Sequence, residues 1–225
     1  NSFLATKIAF INEISDLCEE RGANVQDLAL GIGLDHRIGK EFLRVGPGYG
    51  GSCFPKDTKA LLTIAQESQV SLDIVRAAVR SNDLRKGSLA KRIIKYLPPQ
   101  IKKLGILGLT FKAETDDMRD SPSLIVIPDL IEKGFEIIAY DPQGMDNARK
   151  SLPKEVEFVD TAYKVIEKAE ALIILTEWNE FKSLSFDRIR SMMSYPLVID
   201  FRNLYNPTLM EQEGIKYYSL GRPSI

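Results

Sequence analysis

The sequence has few of the residues from which metal sites, disulfide frameworks and hydrolytic triads are built. Its 225 residues include one histidine, His36, and two cysteines, Cys18 and Cys53. One histidine and two distant cysteines cannot make a zinc site or a Ser-His-Asp triad, so we expect no metal. A cysteine hydrolase is a poor alternative, because His36 lies 17 residues before Cys53 in an unrelated loop.

An excess of charge of one sign and a long apolar run are also absent. Lys and Arg number 30 against 31 Asp and Glu, whereas nucleic-acid-binding domains usually carry a basic excess. No apolar run reaches the roughly 18 residues that a membrane-spanning helix needs. We therefore expect neither a nucleic-acid partner nor a membrane partner. A chain of this size can build a core without disulfides, which favours the cytoplasm.

The first 97 residues are predicted to be helical, with one long glycine-rich loop. The helical pattern begins at Asn1, which is not Met, and this suggests a fragment of a longer protein. Gly22 is expected to end the first helix, Asn24 to cap the second and Asp57 to cap the third. The predicted helices are 2–20, 24 to about 31 or 33, 57 to about 66, and 71 to about 96, and the loop is 35–56.

After Pro99, strands and helices alternate, which is typical of right-handed βαβ units and a parallel sheet. The predicted strands are 103–109, 136–140, 171–176 and 197–200, and the predicted helices are 121–133, 143–151, 161–168, 185–194 and 207–213. The fold class is therefore α/β. A helical domain, residues 1–97, is followed by a doubly wound, Rossmann-like parallel-sheet domain, residues 98–225.

Cys53 lies in the loop segment GPGYGGSCFPKD. Three glycines of this segment fit G-x-G-x-x-G, but the preceding segment is helical, so we expect no dinucleotide site there. A lone cysteine is more often a small buried hydrophobe than a nucleophile, and Cys18, on an apolar helical stripe, fits that role. Lys56 is a cation near Cys53 and would favour the reactive thiolate. From position alone, a functional and a structural role for Cys53 are equally open.

The second domain offers candidate nucleotide contacts where its strands end, as ligands collect there in open α/β sheets. Lys112 and Arg119 follow the first strand and could bind phosphates, although a solvated charged loop is an equal alternative. Asp141 closes the second strand, where an acid would meet a ribose. Arg202 follows the strand LVID.

The motifs of the chain resemble those of the UDP-glucose/GDP-mannose dehydrogenase family. The matching segments are NSFLATKIAFINEIS (1–15), GLDHRIG (33–39), FLRVGPGYGGSCFPKD (42–57), ILGLTFKAETDDMRDS (106–121), AYDP (139–142), VIDFRN (198–203) and YYSLGRP (217–223). The family joins an N-terminal NAD-binding Rossmann domain, a helical centre with the dimer interface, and a C-terminal Rossmann-like domain that completes the UDP-sugar site. The resemblance covers the last two.

The resemblance implies an oxidation of UDP-glucose to UDP-glucuronate by two hydride transfers to NAD. Cys53 would hold the intermediate as a thiohemiacetal and then as a thioester that water hydrolyses. Asp57 matches an aspartate that orients or activates water, and Asn1 matches an asparagine beside the reacting centre. Without the NAD-binding domain, we expect this chain to bind a UDP-sugar but not to turn it over.

Further contacts follow from the same resemblance. Arg37 matches an arginine that reaches into the partner's site of a homodimer formed through the helical domain, and Arg119 matches one near the NAD phosphates. The implied substrate-binding residues are Arg37, Phe42, Leu43, Arg44, Tyr49, Gly50, Phe54, Lys112 and Arg202. A GDP-mannose or UDP-N-acetylhexosamine dehydrogenase is an alternative, although the latter tend to have His where Ser52 stands. A non-catalytic nucleotide-binding module that dimerises through its long helices is another.

Overall fold

The computed structural model describes residues 1–223, and their first part is helical. The helices are α1 (Ser2–Arg21), α2 (Val25–Gly33), α3 (Phe54–Glu67) and α4 (Asp73–Tyr96). Residues 1–97 contain no strand, as predicted. Helix α3 begins earlier than its predicted start at Asp57. Phe54 and Pro55 already form its first turn, because proline has the backbone angle of that turn and no N–H to leave unpaired.

The junction between α1 and α2 follows from local chemistry. Gly22 has a φ of 67°, and its N–H points back to the carbonyls of Cys18 and Glu19. Glycine adopts this left-handed conformation readily, so it ends helices well. Asn24 then caps α2, because its Oδ1 accepts a hydrogen bond of 2.9 Å from the N–H of Gln26. Both predicted helix ends are confirmed.

The second part is a six-stranded parallel sheet with the strand order β3-β2-β1-β4-β5-β6. The strands are β1 (Lys103–Leu107), β2 (Glu136–Tyr140), β3 (Glu157–Phe158), β4 (Ala171–Ile174), β5 (Leu197–Asp200) and β6 (Lys216–Ser219). The helices are α5 (Ser123–Glu132), α6 (Met145–Ser151), α7 (Ala162–Lys168), α8 (Asn179–Lys182), α9 (Phe186–Met192) and α10 (Pro207–Gln212). The predicted α/β class is confirmed. The order reverses between β1 and β4, which are the usual borders of a ligand crevice.

Three elements were not predicted, namely β3, α8 and β6. Strands β3 and β6 are the two edges of the sheet. An edge strand is covered on fewer sides than a central one, so the continuous apolar run that marked β4 is missing from it. Helix α8 spans only four residues, which is too short for a helical period to be recognised.

The helical part shares a hydrophobic core with one face of the sheet. Ala171 and Ile173 of β4 lie in one core together with Ile11 of α1 and Leu89 of α4. The alternate residues of β4 point to the other face and lie in a second core around Phe181. The helical part therefore meets the sheet part chiefly where α4 packs on α5, and the loop between α2 and α3 is placed close to the carboxyl edge of the sheet. None of the helices within residues 1–223 is long and apolar enough to cross a membrane.

Candidate active site

Cys53 is exposed and directly precedes the first residue of α3. The thiol is therefore placed next to the backbone N–H groups that begin this helix. The Sγ atom lies 3.6 Å from the Oγ of Ser52. Cys18, in contrast, is buried on α1, as predicted, and burial raises the pKa of its thiol. The two cysteines therefore differ in both access and electrostatic surroundings.

Asp57 lies one helical turn after Cys53, and its N–H donates to the Cys53 carbonyl over 2.8 Å. Asn1 donates from Nδ2 to Oδ2 of Asp57, and the Nζ of Lys56 lies 3.5 Å from Oδ1. The bond from Asn1, with smaller help from Lys56, lowers the pKa of Asp57. The structure therefore places Asn1 and an ionised Asp57 at the same end of α3 as the thiol. The predicted cap role of Asp57 is wrong, because α3 begins at Phe54.

Arg119, on the segment after β1, brings positive charge towards the loop of residues 42–53, which we call the Cys loop. Its carbonyl accepts a hydrogen bond of 2.8 Å from the N–H of Gly51. Its exposed guanidinium donates to both carboxylate oxygens of Asp117, at 2.9 and 2.8 Å. The pKa of Arg119 is raised, chiefly by Asp117 and in part by the charge of Cys53. A contact between Arg119 and NAD phosphates stays a prediction.

Aromatic side chains pack within the Cys loop and join it to α3. The ring of Phe54 meets the rings of Phe42 and Tyr49 edge-on, each at a centroid distance of 5.9 Å. Burial raises the pKa of Tyr49. Gly50 is pressed against the segment after β1, since a Cβ at this position would lie 2.3 Å from the carbonyl oxygen of Asp120. The loop is therefore a closely packed segment between the two parts of the chain.

A cleft of about 370 Å³ opens between the start of the Cys loop, α2 and the carboxyl ends of β4 and β5. Its lining includes three of the predicted substrate-binding residues, Leu43, Arg44 and Arg202. Lys40 and Lys182 add two more basic side chains to the same lining. Converging cations of this kind suit a phosphate or diphosphate group.

Arg202 connects the ends of three strands with the Cys loop. Its Nε donates to the carbonyl of Leu175 over 2.8 Å, and its Nη2 donates to the carbonyl of Phe111 over 3.0 Å. Glu177 forms an ion pair of 3.0 Å with the same Nε. The Glu177 Oε2 nevertheless has no hydrogen-bond partner within residues 1–223, because the N–H is directed at Leu175. A Cβ added to Gly46 would lie 3.1 Å from Nη1 of Arg202, so the contact with the loop is close.

Other predicted residues lie outside this cleft. Cys53 is the last residue of the Cys loop and Asp57 lies in the first turn of α3, and neither lines the cleft. Lys112 is exposed, with its Nζ 5.4 Å from the centroid of its neighbour's ring, Phe111. Arg37 is exposed and donates from Nε to both carboxylate oxygens of its neighbour Asp35. The roles predicted for Lys112 and Arg37 remain predictions.

The prediction that Asp141 meets a ribose is wrong. Asp141 is fully buried, and its Oδ2 accepts hydrogen bonds from the N–H of Leu109 (2.7 Å) and from Nε1 of Trp178 (3.1 Å). Its Oδ1 accepts from the N–H of Gly144 over 2.7 Å. The carboxylate therefore joins the ends of β1, β2 and β4. Asp141 is therefore occupied by the protein's own donors, and the three-glycine segment of the Cys loop follows no strand.

Lys40, Glu177 and Lys182 were missed at the sequence level. A signal existed for Glu177, which comes three residues after the end of β4, at the edge where ligands gather. Lys182 belongs to α8, which was not recognised. Within the described part of the chain, no group of three or more His, Cys, Asp or Glu residues could hold a metal ion.

Models of two protein domains match most of the chain. The central domain of the UDP-glucose/GDP-mannose dehydrogenase family matches residues 1–84. The UDP binding domain of the same family matches residues 105–207.

Curated relatives agree with these models. The chain is 51% identical to a UDP-glucose 6-dehydrogenase of Rhizobium meliloti strain 1021, over 99% of this chain and 51% of the relative. It is 44% identical to a UDP-glucose 6-dehydrogenase of Rickettsia typhi, over 98% of this chain and 52% of the relative. The chain therefore spans about half the length of the curated relatives it matches.

Solved structures show the same fold. A UDP-glucose dehydrogenase from Pyrobaculum islandicum superimposes with a TM-score of 0.82 at 32% identity, over 97% of this chain and 48% of that one. A UDP-D-ManNAc dehydrogenase from Pyrococcus horikoshii superimposes with a TM-score of 0.80 at 28% identity, over 100% of this chain and 50% of that one.

Proposed function

Because the chain belongs to the UDP-glucose/GDP-mannose dehydrogenase family, we propose that it carries the substrate-binding and thiol-bearing part of an NAD-dependent UDP-glucose 6-dehydrogenase. One observation carries the proposal. The Cys loop begins in a cleft rimmed by basic side chains and ends in the exposed thiol of Cys53 at a helix N-terminus. A nucleotide held at one end of this loop would present its sugar to the other.

The nucleotide occupies the cleft in this proposal. Arg44 and Arg202 bind the diphosphate, helped by Lys182, since guanidinium and ammonium groups are the usual partners of phosphate oxygens. Leu43 and Leu204 give the cleft apolar wall for a base or ribose. A volume of about 370 Å³ falls in the range of small-molecule sites.

Cys53 keeps the partly oxidised sugar bound to the protein. NAD supplies the hydride acceptor when it is bound, and in this proposal Arg119 is the residue of this chain that contacts its phosphates. The Sγ of Cys53 forms a bond to the aldehyde carbon at C6 while the π bond of the carbonyl breaks, and the thiol proton passes, directly or through solvent, to the carbonyl oxygen, which becomes a hydroxyl. After the second oxidation, water attacks the thioester carbon, the C–S bond breaks, and the thiol and a carboxylate are released. The ionised Asp57 orients this water.

A homodimer formed through the helical part belongs to the same proposal. Of the fourteen large hydrophobic side chains left exposed by the described residues, twelve lie in residues 1–97. Three of them, Phe3, Phe10 and Leu17, recur every seven residues along α1 and so form one stripe. Exposed apolar surface of this kind is typical of an interface. Arg37 would reach the partner's site from such an interface. A required free thiol also suits a reducing compartment such as the cytoplasm.

Titration calorimetry with this chain tests the proposal. We expect UDP-glucose to bind, GDP-mannose and UDP-N-acetylglucosamine to bind at least about tenfold more weakly, and no NADH to form. Preferred binding of GDP-mannose or of the N-acetylated sugar would move the chain to another branch of the family. No binding of any nucleotide sugar would contradict the assignment of the cleft.

A further inference from the structure

The Cys loop is held from behind by buried polar side chains of α1 and α4. Oδ1 of Asn12 accepts from the N–H of Gly46 over 2.9 Å, and Nε of Arg85 donates to the Gly46 carbonyl over 2.6 Å. Asn82 binds both backbone groups of Tyr49, at 2.8 and 3.1 Å. Buried backbone groups need partners, and here side chains supply them. The path of the loop therefore depends on these three residues.

Arg85 joins the loop to α1. Only 8% of the residue is exposed. Its Nη1 donates to the carbonyl of Asn12 over 3.0 Å and to Oδ1 of Asp16 over 3.1 Å, and its Nη2 donates to Oγ of Ser15 over 3.3 Å. A buried charge is tolerated only with such a set of partners. The guanidinium is therefore fixed, and through Nε it fixes the Gly46 carbonyl.

Arg92, on the same helix, is an arginine that forms hydrogen bonds to α1 and, within residues 1–223, none to the Cys loop. It lies about two turns further along α4 and donates to Asp16 over 2.7 Å and to Glu19 over 2.6 Å. It therefore connects α4 with α1, as Arg85 does. The described structure records no hydrogen bond between Arg92 and the Cys loop, so only Arg85 extends the contact between the helices to that loop.

The loop has a second anchor close to the thiol. The N–H of Gly51 donates to the carbonyl of Arg119 over 2.8 Å, which joins the loop to the sheet part. Between this anchor and Gly46 lie only four residues, and Cys53 follows two residues after the second anchor. Movement of Gly46 would therefore shift the loop start that lines the cleft relative to the anchored end that carries Cys53.

We propose that Arg85 is a positioning residue that acts through the Gly46 carbonyl to set the distance between the cleft and the Cys53 thiol. The part that concerns UDP-glucose rests on the function proposed above, whereas the part that concerns the loop does not. Because Arg85 is also bonded to α1, the position of the loop depends on how α1 and α4 pack. The reactive end of the site is thereby coupled to the helices that carry the exposed apolar stripe.

Arg85→Lys and Arg92→Lys form a matched pair for testing this role. We would measure amide hydrogen exchange over residues 45–52 by mass spectrometry, and protection of Cys53 from iodoacetamide by UDP-glucose. Arg85→Lys should raise exchange in this segment roughly tenfold or more, because the Gly46 carbonyl loses a charged hydrogen bond. It should also raise the UDP-glucose concentration needed for half-protection by about tenfold. Arg92→Lys should change both values by less than about twofold, even where the two variants lose equal thermal stability.

Equal changes in loop exchange for the two variants, or no change in either, would overturn the proposal. Arg85→Gln replaces Arg85→Lys if the lysine variant does not fold, and the same comparison with Arg92→Gln applies. If UDP-glucose fails to protect the unmodified chain, the proposed function fails. The exchange measurement then still decides the role of Arg85.

Discussion

The helical part and the sheet part differ in how fully they bury their own apolar side chains. Residues 1–97 leave twelve large hydrophobic side chains exposed, whereas only Ile125 and Leu209 are exposed in residues 98–223. The sheet part is covered on both faces and carries its polar network internally, as Asp141 shows. The helical part leaves a surface that association would cover. The exposed thiol of Cys53 thus lies on the part with the larger exposed apolar surface, and the basic cleft lies at the border between the two parts.

Loss of the thiol should have the largest effect. In the chain extended to the full length of its relatives, Cys53→Ser should lower NADH production by about 10³-fold or more, because a neutral hydroxyl is a far weaker nucleophile. Cys18→Ala is the matched control, since it removes the buried thiol. An unchanged rate of NADH production for Cys53→Ser would show that Cys53 is not the nucleophile.

Asp141→Asn tests the hydrogen bonds that the buried Asp141 carboxylate accepts within the sheet part. The amide nitrogen cannot accept the bonds that the second carboxylate oxygen accepts now, and buried donors lose their partner. We expect a fall of about 2–3 kcal/mol in the free energy of unfolding, measured by urea denaturation. Asp57→Asn, at a partly exposed position in the first turn of α3, should leave stability nearly unchanged. An equal loss of unfolding free energy for Asp141→Asn and Asp57→Asn would contradict the view that Asp141, unlike Asp57, stabilises the fold.

Arg202→Ala tests the cleft between the two parts. It removes the guanidinium that faces the proposed diphosphate, and UDP-glucose affinity should fall by roughly 10- to 100-fold in calorimetry. Arg202→Lys should lie between, because it keeps the charge but loses the planar donors. Unchanged affinity in both variants, with normal folding, would place the nucleotide elsewhere.

The smallest effect is expected from a charge on the exposed stripe of α1. Phe10→Glu should weaken self-association by about tenfold or more in sedimentation equilibrium, because a carboxylate would be buried at the contact. Ile125→Glu changes an exposed side chain of the sheet part and should leave association unaffected. A chain that is monomeric at all concentrations, or a reversed result for the two variants, would contradict the dimer proposed through the helical part.

The sequence predicted the elements with strong patterns and missed what depends on distant neighbours. The apolar run of β4 and the cap at Asn24 are local signals, and both were predicted. Asp141 was misassigned because two of the donors that occupy its carboxylate, Leu109 and Trp178, lie more than thirty positions away. The support of the Cys loop by Arg85 was invisible for the same reason, since it depends on how α4 packs on α1.

Alkylation of the two cysteines tests directly whether the Cys53 thiol lies at the end of a nucleotide-sugar site. Iodoacetamide is added with and without UDP-glucose, and the labelled residue is identified by mass spectrometry. We expect Cys53 to be labelled selectively over the buried Cys18, and UDP-glucose to protect it. Equal labelling of Cys53 and Cys18, or labelling of Cys53 that UDP-glucose does not change, would contradict a thiol placed at the end of a nucleotide-sugar site.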